Sequence, residues 1–296
     1  MELLAVLAVP LSSAHYIRSH FPRKRGQLPL RQFPPQPMTI TFIQYIIVCP
    51  LVFLAGFVDA IAGGGGLISL PAYMLAGLPV HNAIGTNKLS SAMGATLTTA
   101  RFAKSGFIEL RFAIPCSTAA LLGSAIGARI ALLIPEHVFK IIMLFVLPLV
   151  AAYVMSKKSL KDRSELEPFP FTKAIIIAVL CALFIGMYDG FYGPGTGTFL
   201  LLLLTGAARM PLNDSAGITK VINLSSNIAA LAVYIFSGNV LYPLGLAAGV
   251  FSIAGNYLGT RVFTAKGSRG VKPIMITVLG IFFIKLCYEL FLQNKP

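Results

Sequence analysis

The chain of 296 residues has no tryptophan, four cysteines, four histidines and only ten acidic residues. Charged residues of both signs make up 11% of it, against roughly 25% in a soluble domain. Each shortage excludes something. Cys49, Cys116, Cys181 and Cys287 stand singly in apolar stretches, with no CxxC and no Cys/His ligand spacing. That argues against a zinc site and a disulfide framework. His15, His20, His81 and His137 form no HExxH and no i, i+4 pair, and neither GxSxG nor a Walker A pattern occurs. No metal, no cofactor and no enzymatic chemistry is therefore expected. Polar surface is scarce as well. With 56% hydrophobic residues and a mean hydropathy of +0.80, the chain carries more apolar surface than one aqueous core absorbs. The expected solvent is lipid.

The net charge of +14 would suggest nucleic acid in a soluble protein. Here the bases lie in short runs between apolar stretches, as in "RFAKSGFIELR" (101–111) and "KKSLKDR" (157–163). Such runs fit cytoplasmic loops of a membrane protein, and no nucleic-acid partner is expected. Residues 1–37 differ in kind. A short apolar run, 3–11, precedes the basic, proline-rich "RSHFPRKRGQLPLRQFPPQP", the reverse of a secretory signal. This segment reads as a disordered tail or a start-site artefact, with Met38 opening the membrane portion.

Two stretches are costly for a helix in lipid: "GFVDAIAGGGGL" (56–67) and "GMYDGFYGPGTGTFL" (186–200). They are related by an internal repeat. Gly56, Asp59, Gly63 and Gly65 meet Gly186, Asp189, Gly193 and Gly195 at a fixed offset. After a two-residue insertion, Gly85 and Lys88 meet Gly217 and Lys220. Further on, Gly123, Gly127 and Arg129 meet Gly255, Gly259 and Arg261. The chain is thus a duplicated unit, divided as membrane repeat 1 (38–156), cytoplasmic linker (157–170) and membrane repeat 2 (171–296). The expected fold class is an all-α polytopic membrane protein. Each repeat has five segments, at 42–62, 67–78, 83–103, 108–133 and 138–155, then at 171–192, 196–208, 214–236, 241–263 and 271–291. The second segment of each is too short to cross about 30 Å of hydrocarbon. It is a half-helix, a re-entrant piece, or a span completed by the unwound glycines. Matching loops carry opposite charge: 101–111 is basic while its counterpart at 237–239 is neutral, and 261–272 is basic while 134–137 is weakly charged. Inverted repeats would produce this pattern; if the short segments do not cross the membrane, the two repeats run parallel instead.

A charge at mid-membrane costs about 2.5–3.5 kcal/mol on insertion scales. Duplicated charges therefore mark a candidate site. Lys88 shares a helix side with Asn87 and Ser91, and Lys220 heads a stripe with Asn223 and Asn227. These are read as a polar wall with lysine counter-charges for an anion; helix–helix glue is the plainer reading. The glycines Gly63, Gly64, Gly65, Gly66, Gly193 and Gly195 precede short helices whose N-termini could hold an anion on backbone N–H groups. Thr196 and Thr198 add hydroxyls there. Asp59 and Asp189 either orient the glycine loops or carry a coupling proton.

The stretches "GFVDAIAGGGGL", "GTNKL", "NLSSNIAAL" and "GTR", with "MYDGFYGPGTGTF" (Met187 where the pattern has Phe), resemble the TauE/SafE sulfite exporter family, in its general branch of probable membrane transporters. The resemblance covers about residues 42–291; residues 1–37 have no counterpart in it. It implies a multi-pass protein of the prokaryotic plasma membrane. It also implies export of sulfite, organosulfonates or related small anions. The family offers no agreed catalytic residues. The partners implied are the small anion and the bilayer, and a homodimer is compatible with them. A passive anion channel, or an intramembrane enzyme using Asp59 and Asp189 as a dyad, are the rival readings.

Overall fold

The computed structural model describes residues 40–156, 167 and 169–266. The tail 1–37, nearly all of the linker and the expected segment 271–291 lie outside the described residues. Every regular element among the described residues is a helix: α1 (Phe42–Ala62), α2 (Gly66–Leu75), α3 (Val80–Lys104), α4 (Leu110–Leu133), α5 (Glu136–Ser156), α6 (Phe171–Phe191), α7 (Thr196–Gly206), α8 (Leu212–Phe236) and α9 (Tyr242–Lys266). The order long, short, long, long recurs from α6, as the repeat requires. Helices α1, α4, α6 and α8 are long and apolar enough to cross a membrane.

Local chemistry sets the boundaries. The Gln44 side chain accepts a bond from the Thr41 N–H at 3.0 Å, closing the start of α1. Gly63 ends it in the left-handed region (φ 72°), where its N–H returns to the Asp59 carbonyl. Pro79, Pro170 and Pro211 stand immediately before α3, α6 and α8. The short helix α2 then runs back alongside α1. Gly65 lies against Ala55 and Asp59, and Gln44 Nε2 donates to the Ala76 carbonyl at 3.1 Å. At 10 residues, α2 is about 15 Å long. The short segment is the returning arm of a hairpin.

The two repeats interlock. Gly255 and Gly259 of α9 fit against the backbone at Phe53 and Phe57 of α1. Their counterparts Gly123 and Gly127 of α4 fit against Leu183, Met187 and Phe191 of α6. The fourth helix of each repeat thus packs on the first helix of the other, through paired glycines that admit close backbone approach. In both contacts residue numbers rise together, so the helices run parallel. Helices α3 and α8 meet in the opposite sense. Thr99 near the end of α3 donates to the Lys220 carbonyl (3.1 Å), and Leu241 just after α8 donates to Thr86 near the start of α3 (3.0 Å). Small residues such as Ala178, Ala182 and Ala120 pack α4 and α6 onto Leu200, Leu204, Ile218 and Ile222. Large apolar side chains, among them Phe145, Leu149, Phe184 and Val250, face outward instead, as expected of a surface bathed in lipid.

Candidate functional site

The two glycine breaks come together. A Cβ on Gly63 would lie 2.8 Å from the Thr198 nitrogen and 2.9 Å from the Gly197 Cα; one on Gly66 would lie 3.1 Å from the Pro194 Cα. At 63 only glycine lets the hairpin tips of the two repeats touch; at 66 a larger residue would push the tips apart by a few tenths of an ångström. The tips close one wall of a polar cavity of about 40 Å³.

Eleven of the residues expected at a site line this cavity: Asp59, Gly63, Gly65, Gly66, Asn87, Lys88, Ser91, Asp189, Gly193, Thr196 and Asn223. Four do not. Gly64 and Gly195 belong to the glycine turns and Thr198 to the first turn of α7, and Lys220 borders a smaller, largely apolar space with Ala60, Phe102 and Leu201. The helix N-termini are also less open than four free N–H groups apiece. Leu67 N and Ile68 N donate to Gly64 and Gly65 carbonyls (3.1 and 2.9 Å), and Thr196 N donates to Gly193 (3.2 Å). These tight first turns spend part of the donor set. Neither helix has a side-chain cap there.

The charges pair across the repeats. Lys88 Nζ lies 2.8 Å from Asp189 Oδ2, both nearly inaccessible. Ser226 Oγ lies 2.7 Å from the same oxygen and Thr196 Oγ1 lies 2.9 Å from Oδ1, so both carboxylate oxygens are engaged. In the pseudo-equivalent pair, Lys220 Nζ lies 2.7 Å from the Asp59 backbone carbonyl and 3.4 Å from its Oδ2. The Asp59 side chain is 19% exposed, against 4% for Asp189. Both acids line the cavity, but Asp189 is clamped and nearly inaccessible whereas Asp59 is loosely held and more exposed. Each acid is bound to a lysine of the opposite repeat. The lysines consequently bring no net side-chain charge to the cavity, contrary to a reading in which they act as free counter-charges. The positive ends left at the cavity are the two helix N-termini, worth up to about half a positive charge each.

The model of the sulfite exporter TauE/SafE family matches residues 48–286. The chain belongs to that family. A probable membrane transporter protein, ORF9, of Sinorhizobium sp is 34% identical over 254 residues, covering 85% of this chain and 94% of its own length. A probable membrane transporter protein of Haemophilus influenzae is 32% identical, over 80% of this chain and 92% of its own. YfcA of Escherichia coli K12, also named a probable membrane transporter protein, is 31% identical, over 84% and 94%. No solved structure matches the chain. Membership in a transporter family agrees with a membrane protein whose polar centre lies between interlocked halves.

In this TauE/SafE protein four polar side chains of the cavity wall stand outside the repeated motifs: Ser69, Tyr192, Ser252 and Asn256. Ser252 and Asn256 are the informative pair. Asn256 Nδ2 donates to the Ser252 carbonyl at 2.9 Å, while its Oδ1 is buried with no protein partner. Their room comes from two glycines: a Cβ on Gly56 would come within 2.8 Å of Asn256 Nδ2, and Gly94 abuts both side chains. The signal available in the sequence was two polar residues at i, i+4 in an otherwise apolar stretch. The repeat hid it, because the counterparts are Ala120 and Ser124.

Proposed function

We propose that the protein is a secondary transporter that moves small oxyanions, sulfite or small organosulfonates, outward across the prokaryotic plasma membrane, with two inverted repeats around one central site. The observation that carries this reading is the polar cavity where both glycine breaks and both uncapped half-helix N-termini converge beside Lys88. Its volume of about 40 Å³ is room for roughly three waters at 10–15 Å³ each, which suits a small solute. The antiparallel course of α3 and α8, pseudo-equivalent helices, supports inversion. The bases of the α3–α4 loop and of the α9 terminus share one face, which under the positive-inside tendency is cytoplasmic.

The test has two stages. Purified protein is screened by thermal shift against sulfite, sulfoacetate, taurine, thiosulfate and sulfate. Stabilising anions are then followed in proteoliposomes with and without a pH gradient. Saturable flux that responds to the gradient is expected. Flux that ignores the gradient and does not saturate indicates a channel, and no anion flux at all overturns the reading.

A further inference from the structure

Two motifs with no part in the central cavity meet at the opposite end of α3. "RFAKSGF" supplies Arg101, Lys104, Ser105 and Phe107; "GTR" supplies Thr260 and Arg261. Together they line a separate cavity of about 250 Å³. We propose that this cavity binds the phosphate of an anionic lipid headgroup.

The bases are built in. Arg101 Nη1 donates to the Tyr257 carbonyl at 2.9 Å and to Thr260 Oγ1 at 2.7 Å. The guanidinium groups of Arg101 and Arg261 both lie against the Tyr257 ring, 4.6 and 4.5 Å from its centre, and Arg261 also bonds the Tyr257 hydroxyl. Two cations are therefore fixed on one ring with Lys104 beside them, and no acidic residue lines the cavity among the described residues. Like charges held together repel, and an anion between them relieves the repulsion. Guanidinium forks suit phosphate oxygens.

The repeat supplies an internal control. The equivalents of Arg101, Lys104, Tyr257 and Thr260 are Val233, Phe236, Ala125 and Ala128; of the bases, Arg261 alone keeps its counterpart, Arg129. The same corner of the fold is thus built elsewhere without the extra bases and without their braces. The cavity also lies where a headgroup would be. It lies at the ends of α3 and α9, on the face that carries the basic loop; Phe102 and Phe107 line it, and Tyr257, against which both guanidinium groups lie, is exposed. An interfacial aromatic beside arginines, with apolar surface next to it, fits a phosphate attached to acyl chains better than a free ion.

The full-length protein in detergent is titrated with short-chain phosphatidylglycerol, short-chain phosphatidylcholine or inorganic phosphate, and thermal stability is followed. Phosphatidylglycerol should stabilise the wild type, with phosphatidylcholine well behind it. Arg101→Gln and Lys104→Gln should each weaken the phosphatidylglycerol response by about tenfold in midpoint concentration, equivalent to about 1.4 kcal/mol. Arg129→Gln, the counterpart position, should leave the response unchanged. Arg101 braces α9, so its loss could unfold the protein. Lys104 is exposed and forms none of the bonds described above, which keeps the test decisive. Equal protection by inorganic phosphate overturns the lipid assignment in favour of a free-phosphate site. Equal responses to the two lipids, or unchanged titrations in both variants, overturn the proposal outright. None of these outcomes depends on what the central cavity transports.

Discussion

At the scale of the residue, the question is how lysine and aspartate survive in apolar surroundings twice over. Cross-repeat pairing answers it. Removing one partner of a buried pair strands the other charge and costs roughly 3–5 kcal/mol, whereas replacing both is far milder. Lys88→Met should therefore lower the melting temperature in detergent more than the double change Lys88→Met with Asp189→Asn. A double variant as unstable as the two single effects added would show that the pair is not what holds α3 to α6. The two acids also differ. Asp189 has its oxygens engaged by Lys88, Ser226 and Thr196. Asp59 faces the cavity on a 3.4 Å contact. If Asp59 carries the coupling proton of the proposed transport, Asp59→Asn in proteoliposomes should lose pH-driven accumulation while retaining exchange; if it only orients the glycine loop, both should survive. Asp189→Asn should instead fail mainly in stability.

At the scale of the element, glycine decides which helices touch. A Cβ at Gly127 would run into the Met187 backbone, which cannot move aside as a side chain can. Gly106, by contrast, has open space around it and φ of 75°, so alanine there meets only the left-handed strain of about 1–2 kcal/mol. Gly127→Ala should accordingly depress the melting temperature more than Gly106→Ala. The reverse order would mean that the α4–α6 contact yields easily. The helices and breaks themselves were readable from the chain, because their signals are local. Segment ends moved by a few residues, as where the expected 83–103 became Val80–Lys104 once Pro79 capped it.

For the whole molecule, the arrangement of the two repeats makes one sharp prediction. Ser105 and Ser237 are equivalent in the repeat and both are exposed at loops. With the four native cysteines replaced by alanine, Ser105→Cys should react with a membrane-impermeant maleimide only from the cytoplasmic side, and Ser237→Cys only from outside. Labelling of both from one side would sink the inverted arrangement.

The sequence by itself determined the lipid solvent, the duplication, the short helices behind the glycine breaks and most residues of the cavity wall. Composition, spacing and backbone freedom act locally or in register, so one dimension suffices to record them. It left Asn256 and Ser252 unseen, since the repeat that exposed the other residues has Ser124 and Ala120 in their places. Nor could it assign the ion pairs. Asp59 has the same register to Lys88 as Asp189 has to Lys220 within two residues, so a pairing inside each repeat and a pairing across them leave the same trace in the chain. Only the tertiary structure decided for Lys88 with Asp189 and Lys220 with Asp59. The interlocking of the repeats, with α9 on α1 and α4 on α6, carries each acid to the other repeat's lysine, and a charge in apolar surroundings must take the partner that packing brings within reach.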